Sequence, residues 1–170
     1  TAIIIRGNDI HGNEQGIEIR YAGEGTRIID NRIHHQDRML RDTVGGNDDS
    51  GASGIGFVKS TGAVLASGNV IHGNRAASHD YTWDGGAFEI YGASNVTMTD
   101  NIVYDNENVL ETGTDSGHAC SGNTFARNVA WGASTQGRAW GMFLRCAEGM
   151  LVANNTFVDV EGFVFSLGSD

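Results

Sequence analysis

Apolar and polar residues alternate in short runs along the whole chain, and this period-two pattern is typical of β-strands that bury one face. Clear examples are residues 16–19, 87–90 and 96–99, with the sequences Gly-Ile-Glu-Ile, Ala-Phe-Glu-Ile and Val-Thr-Met-Thr. The chain also favours Val, Ile, Thr and Asn over the Ala, Leu, Glu and Lys of helical proteins. The sequence therefore predicts short strands joined by tight turns.

These runs belong to an internal repeat that begins with asparagine. Its six copies, each with Ile, Val or Phe two residues after the asparagine, begin at Asn8, Asn31, Asn69, Asn101, Asn123 and Asn155. Successive copies are separated by 23, 38, 32, 22 and 32 residues, which indicates a basic coil of 22 or 23 residues with insertions of about 10 to 16 residues in the longer coils. Insertions into such a repeat form loops on the surface of a solenoid.

Three short strands account for each coil, one before the asparagine, one within its motif and one after it. Asparagine in a turn tolerates left-handed backbone geometry and can hydrogen-bond to the coils above and below. We therefore interpret the asparagines as structural. A second structural column is formed by Asn13, Asn74, Asn106 and Asn128. A third column, His11, His34, His72 and Tyr104, is expected to be a stack and not a zinc site, because a straight row does not converge tetrahedrally on one point.

The asparagine motif at this period resembles the repeats of the pectin-lyase-like superfamily, and the resemblance covers nearly the whole chain. It implies an all-β, right-handed parallel β-helix of about six coils with three strands each. It also implies that the asparagines lie between the second and third strands, and that the outer face of the first strand forms a substrate cleft. We expect one domain over residues 1–170, as a segment of a longer β-helix that lacks its end caps.

Charge and composition limit the classes of binding partner. The net charge of −10 and the lack of a basic cluster argue against nucleic acid. No stretch approaches the roughly 20 apolar residues of a membrane span, and residues 1–5 do not form a signal peptide. Because the resemblance implies a polysaccharide partner, we expect a secreted or cell-surface protein whose targeting signal lies outside this chain. Cys120 and Cys146 can lie one coil apart, so a disulfide and two free thiols are both open.

Strand alternation predicts a pair of glutamates on the outer face of the first strands. The expected inward residues are Ile17, Ile19, Phe88, Ile90, Leu110, Thr112, Met142 and Leu144. The expected outward residues are Glu18, Arg20, Gly56, Val58, Glu89, Tyr91, Glu111, Gly113, Phe143 and Arg145. Glu89 and Glu111 should lie on adjacent coils, whose strands are about 4.8 Å apart. Such a pair can serve as acid and base or nucleophile, can bind Ca²⁺ together with Asp84, or can be solvated surface.

Two insertions supply further candidates. The segment 75–86 should form a wall beside the glutamates, with Tyr81, Trp83 and Asp84 contacting sugar, although the two rings can instead pack the loop onto the helix. Tyr91 and Trp140 are further candidates for sugar contacts, Trp131 has the same two interpretations, and His118 is a candidate general acid or base. The segment 37–53, with Asp37, Asp42, Asp48 and Asp49, is expected to be a flexible acidic loop rather than a Ca²⁺ site.

Three functions remain in competition. Residues 57–60 and 143–146 are similar to segments of alginate and chondroitin lyases, which implies Lys59 as base and Arg145 as its partner. Those two residues are several coils apart, and the net charge of −10 repels a polyanion. We therefore predict a glycoside hydrolase with Glu89, Glu111 and Arg145 in its catalytic site. The alternatives are a Ca²⁺-assisted uronate lyase and a non-catalytic carbohydrate-binding or adhesin segment.

Overall fold

The computed structural model describes residues 2–21, 24–132 and 140–168, with only the backbone of residue 140. Three parallel β-sheets of six strands each run along the chain, and every coil contributes one strand to each sheet. This confirms the predicted parallel β-helix. The strands in chain order are β1 (Ile4–Arg6), β2 (Asp9–His11), β3 (Gln15–Arg20), β4 (Thr26–Ile29), β5 (Arg32–His34), β6 (Met39–Arg41), β7 (Ser50–Gly51), β8 (Ser53–Val58), β9 (Val64–Ser67), β10 (Val70–His72), β11 (Ala76–Ser78), β12 (Thr82–Asp84), β13 (Gly86–Tyr91), β14 (Val96–Thr99), β15 (Ile102–Tyr104), β16 (Asn108–Gly113), β17 (Thr124–Ala126), β18 (Val129–Trp131), β19 (Trp140–Leu144), β20 (Leu151–Ala153), β21 (Thr156–Val158) and β22 (Phe165–Leu167).

The three sheets follow the predicted order within a coil. The first-strand sheet contains β3, β8, β13, β16, β19 and β22. The second-strand sheet contains β1, β4, β9, β14, β17 and β20, and the third-strand sheet contains β2, β5, β10, β15, β18 and β21. Two antiparallel hairpins, β6–β7 and β11–β12, are inserted just before first strands. They correspond to the predicted surface insertions.

The core is formed by the inward positions of all three sheets. Phe88, Ile90 and Leu110 of the first-strand sheet are fully buried, as are Ile28 and Ile71 of the other two sheets. All eight residues predicted to point inward are buried. The stack of apolar side chains along the axis is therefore the main source of hydrophobic stabilisation.

An asparagine ladder, buried except at its two ends, joins the coils at the turn between the second and third strands. Its members are Asn8, Asn31, Asn69, Asn101, Asn128 and Asn155, and each side-chain amide up to Asn128 donates to the side-chain oxygen of the next. The prediction of Asn123 as a ladder member was wrong. Asn123 precedes β17 of the second-strand sheet, where its side chain accepts from the backbone N–H of Val96. The true ladder spacings are 23, 38, 32, 27 and 27 residues.

Left-handed backbone occurs one residue before each ladder asparagine and not at the asparagine itself. Four of these positions are non-glycine residues, Asp30, Asp100, Arg127 and Asn154, with φ between 55° and 58°. A second ladder runs from Asn13 through Gln36 to Asn74 and Asn106. Gln36 takes the place of an asparagine there, and Asn128, predicted in this column, belongs to the first ladder.

The predicted ring column is a stack on the third-strand sheet. His11, His34, His72, Tyr104 and Trp131 follow one another with ring centroids 4.9, 4.8, 4.4 and 4.7 Å apart and nearly parallel planes. Trp131 is therefore part of the scaffold surface. The sequence did not predict Trp131 in this column, because Asn123 had been assigned to the asparagine ladder instead of Asn128.

The two cysteines form a disulfide. Cys120 and Cys146 are bridged with a Cα–Cα distance of 5.4 Å, which selects one of the two states left open by the sequence. The described part of the chain contains no helix that is long and apolar enough to cross a membrane.

Candidate active site

Glu89 and Glu111 are directly opposite each other on β13 and β16, as the alternation predicts. Gly56 precedes them on β8, and Glu18 of β3 pairs with Gly56 on its other side. The two glutamates point away from the core but are only partly exposed, because the inserted hairpins cover this face. Three of the residues predicted to point outward, Gly56, Val58 and Gly113, are nevertheless buried.

The covered face contains a cleft with two compartments. The Trp83 compartment is lined by Tyr81, Trp83, Asp84, Glu107, Asn108, Glu111, Phe143 and Arg145. The Asp49 compartment is lined by Arg41, Asn47, Asp48, Asp49, Ser50, Asp84, Glu89, Tyr91 and Asp115. Asp84, at the end of β12, borders both compartments. One carboxyl of the hairpin therefore borders both the compartment that contains Glu111 and the compartment that contains Glu89.

Glu111 is compensated by hydrogen-bond donors. Arg145 donates to its carboxylate, and Glu111 also accepts a hydrogen bond from Tyr91. Burial raises the pKa of Glu111, and the nearby Arg145 charge opposes that rise. The Arg145 guanidinium lies over the ring of Phe143, 4.9 Å from its centroid, which orients it toward Glu111. The ionised form of Glu111 is thus supported by a cation and a hydroxyl.

Glu89 lies in a more acidic environment. Burial raises its pKa well above the ordinary value, and the charges of Asp84 and Glu111 raise it further. Within the described residues, no cation forms a salt bridge with Glu89. The adjacent carboxyls therefore differ, since the environment of Glu89 favours its protonated form and Glu111 has a counter-ion.

Asp84 lies in an environment intermediate between those of Glu111 and Glu89. Burial raises its pKa to about 7, while the backbone N–H of Gly85, 2.7 Å from Oδ1, lowers it. The charge of Glu111 adds to the rise. Near neutral pH Asp84 is therefore close to half ionised, and it can donate or accept a hydrogen bond in either compartment.

The two hairpins are tied to each other over the cleft. The Ser78 hydroxyl hydrogen-bonds to Asp49, and His79 Nδ1 lies 2.6 Å from Asp42 Oδ2. These contacts explain why the acidic segment 37–53, expected to be a flexible loop, contains the β6–β7 hairpin. Its carboxylates are used as local acceptors, as in the case of Asp48, which accepts from the backbone N–H of Thr43.

Two close contacts with glycine shape the cleft, one in each compartment. A Cβ at Gly113 would lie 2.7 Å from the Tyr91 ring, so glycine allows that ring to cross toward the neighbouring coil. A Cβ at Gly86 would lie 2.2 Å from Asn108 Oδ1. Asn108 and Glu107 were missed by the sequence interpretation. The sequence signal for both residues was their position between the ladder residue Asn106 and the start of the first strand β16, which begins at Asn108.

Other residues that the sequence predicted to be catalytic lie away from Glu89 and Glu111. His118 is in the turn after β16, where its backbone N–H donates to Asp115, and it lines neither compartment. Lys59 pairs with Asp115 at 3.0 Å. Three strand spacings of about 4.8 Å separate the Lys59 and Arg145 coils, so these residues do not share a proton path. The side chain of Trp140, predicted to contact sugar, lies outside the described residues.

Glu89, Glu111 and Asp84 are the predicted Ca²⁺ ligands of this cleft. Among the described residues, no group of three or more His, Cys, Asp or Glu side chains is placed to hold a metal ion. Glu111, a predicted Ca²⁺ ligand, is paired with Arg145. The described residues of the cleft therefore present carboxyls for proton transfer and hydrogen bonding, and they form no preformed Ca²⁺ cage.

Comparison with known proteins agrees with this fold. Residues 1–170 match the family model described as a right-handed beta helix region. No curated protein matches the chain.

Proposed function

The chain belongs to the right-handed beta helix family, and from that premise we propose that it is a glycoside hydrolase that cleaves a polysaccharide with Glu89 and Glu111. The observation that carries this proposal is the pair itself. Two register-matched carboxyls lie in one cleft, and only Glu111 has an arginine counter-ion among the described contacts. Glycosidases need such a difference, because one carboxyl must donate a proton while the other is ionised.

Glu89 is the general acid in this mechanism. Its raised pKa favours the protonated carboxyl, and the proton passes to the glycosidic oxygen as the bond to the anomeric carbon breaks. The charges of Asp84 and Glu111 support this role because they disfavour ionisation of Glu89. After cleavage Glu89 is ionised and can take a proton from the attacking water.

Glu111 is the nucleophile in this mechanism. Arg145 and Tyr91 hydrogen-bond to its carboxylate, so its ionised form is stabilised before the sugar binds. Directly opposite strand positions are about 5 Å apart, which matches the roughly 5 to 5.5 Å between carboxyls in retaining enzymes. We therefore assign a retaining reaction, in which Glu111 bonds to the anomeric carbon and water then releases the sugar.

The walls of the cleft support a sugar substrate. Tyr81 and Trp83 of the β11–β12 hairpin and Phe143 of β19 line the Trp83 compartment beside Glu111. Aromatic rings bind the apolar faces of sugars, and polar groups at the same site bind hydroxyls. The cavity volume of about 240 Å³ is below the roughly 300 to 1,000 Å³ of sites that enclose a whole small molecule, so this compartment accommodates only part of a glycan chain. The disulfide supports an extracellular location, because such bonds persist in oxidising compartments.

A screen of soluble polysaccharides tests the proposal. Each reaction is assayed for new reducing ends and for the ultraviolet absorbance of an unsaturated product. Reducing ends without that absorbance are expected, and the anomeric configuration of the first product should be retained. Unsaturated product that requires Ca²⁺ would favour the uronate lyase instead. Binding without cleavage would favour a carbohydrate-binding or adhesin segment.

A further inference from the structure

The disulfide lies next to the arginine of the cleft. Arg145 directly follows the last residue of β19, and Cys146 is the next residue in the chain. Cys146 is bridged to Cys120, in the segment that follows β16, so the bond joins two adjacent coils. Glu111 lies on β16. The bridge therefore links the main chain that carries Arg145 to the coil that carries its carboxylate partner.

Hydrogen bonds also join the main chain at Arg145 to that coil, but they are weaker than the covalent bond. The backbone N–H of Arg145 donates to the Thr112 carbonyl at 3.4 Å, which is longer than the usual range for such a bond. The backbone N–H of Cys146 donates to the Thr112 hydroxyl at 3.1 Å. Further along the turn, the Gly122 N–H donates to the Glu148 carbonyl at 3.0 Å. These bonds keep the turn in place, and the bridge fixes it at the residue next to Arg145.

Gly113 brings the second hydrogen-bond donor of Glu111 into the same region. A Cβ at Gly113 would lie 2.7 Å from the Tyr91 ring and 3.8 Å from Arg145 Nη2, so the ring and the guanidinium meet beside this residue. The Sγ atom of Cys120 lies 3.1 Å from the Gly113 carbonyl oxygen. Cys120 is buried and belongs to the hydrophobic core. The bridge therefore anchors the turn of Arg145 to the core, beside both groups that hydrogen-bond to Glu111.

We propose that Cys146, through its bridge to Cys120, is a positioning residue that holds Arg145 against Glu111. Burial raises the pKa of Glu111 and the Arg145 charge opposes that rise, so a less firmly held arginine leaves the carboxyl easier to protonate. The role of the bridge in cleavage rests on the proposed function, in which Glu111 is the ionised nucleophile. The other titratable groups near Glu111 are Tyr81 and Asp84 of the β11–β12 hairpin, Asp49 beside β7, Glu89 and Tyr91 of β13, and Glu107 of the same compartment.

Loss of the bridge should move the acid limb of cleavage to higher pH. Cys120→Ala/Cys146→Ala, and the wild-type protein reduced with a phosphine, are assayed on the polysaccharide identified by the screen, at a temperature where urea titration shows each to be folded. Because the nucleophile must be ionised, the acid limb of kcat/KM should rise by about one pH unit. Asn101→Ala is the matched control, since it leaves buried ladder groups without partners away from the cleft, and it should leave the limb in place.

Arg145→Gln shows whether the bridge acts through the arginine. This variant should move the acid limb further than loss of the bridge does, by about 1 to 3 pH units. Removal of the bridge from Arg145→Gln should then have no further effect, because the two changes act on one contact. A shift of equal size with and without Arg145 would overturn the proposal. So would a limb that stays in place when the bridge is lost, or that moves as far in Asn101→Ala.

The pKa of Glu111, measured without substrate, separates this proposal from the hydrolase proposal. It is followed by NMR titration of ¹³C-labelled carboxyl groups, with Glu111→Gln to identify the signal, and it should rise when the bridge is lost. If the pKa rises in this way but no glycan is cleaved, the hydrolase proposal fails and the positioning of Arg145 stands. If the paired carboxyls cleave a glycan and the pKa of Glu111 does not depend on the bridge, the positioning proposal fails and the hydrolase stands.

Discussion

Glu89 and Glu111 occupy the same register position on adjacent strands, yet Arg145 donates to Glu111 alone. Like charges directly opposite in a sheet are destabilising, so two ionised glutamates at these positions would lower the stability of a fold that does not itself require them. The repulsion between the two carboxyls is reduced if Glu89 keeps its proton. That difference between two neighbouring carboxyls is the basis of the acid and nucleophile roles.

Asp84→Asn should shift the pH dependence of cleavage. Activity is lost at high pH when the general acid Glu89 loses its proton, and burial and then the Asp84 charge raise the pKa of Glu89. Removing that charge lowers the pKa of Glu89, so the alkaline limb of kcat/KM should move to lower pH. Glu18→Gln, which alters a more remote carboxyl, should leave the limb nearly in place. A limb that stays unmoved or moves to higher pH in Asp84→Asn would contradict the assigned acid.

The histidine stack should make the fold sensitive to acid. Burial lowers the pKa of His72 from 6.5 to about 4, and the charges of His34, His35 and Arg32 lower it further while Asp105 opposes them. The unfolded chain therefore binds more protons than the folded chain between these pH values. The free energy of unfolding should decrease as the pH falls through that window.

His72→Phe tests the source of this acid sensitivity. Phenylalanine retains a ring between His34 and Tyr104 but cannot be protonated, so urea unfolding should become less dependent on pH between about 4 and 6.5. His11→Phe is the matched control at the exposed end of the same stack. An unchanged pH dependence in His72→Phe would exclude His72 as the titrating group.

The asparagine ladder should be strongest at its centre. The Asn101 amide donates to Asn128 and to the Ala66 carbonyl, and its oxygen accepts from two groups of Asn69. Asn101→Ala leaves buried groups without partners, so unfolding should be easier by about 3 kcal/mol or more. Asn8→Ala, at the exposed end of the ladder, should have a smaller effect in the same urea titration. Equal effects would mean that burial of the ladder contributes nothing.

The disulfide should stabilise the later coils. It closes a loop of 26 residues, and the restriction of the unfolded chain corresponds to about 3.5 kcal/mol. The Cys120→Ala/Cys146→Ala variant should unfold more easily by that amount. Reductant should lower the stability of the wild-type protein to a similar level and leave the double variant unchanged. Wild-type stability that is insensitive to reductant would argue against a bridge.

The sequence predicted the parts of the structure that depend on periodicity. Alternation placed Phe88 and Ile90 in the core, and it placed Glu89 opposite Glu111. The ladder position at Asn123 was wrong because Thr124 and Phe125 begin a second strand whose pattern matches that of a third strand. Only the stacking of Asn101 on Asn128 distinguishes the two turns.

The details of the cleft could not be predicted because they depend on loop geometry. The pairing of Arg145 with Glu111 requires the register of β19 and the Phe143 ring beneath the guanidinium. The burial of Asn108 requires the β11–β12 hairpin and a glycine at position 86. No period in the sequence encodes such contacts, since each is made by one residue in one coil.

The most direct test of the account is the rate of glycan cleavage by Glu89→Gln and Glu111→Gln, with Glu18→Gln as control. Glu18 lies in the same column but pairs with Arg20 at 2.8 Å, away from the cleft. On the polysaccharide identified by the screen, kcat should fall about 10²- to 10⁴-fold in each cleft variant and remain near the wild-type value in the control. Unchanged kcat in either cleft variant would contradict catalysis by the paired carboxyls.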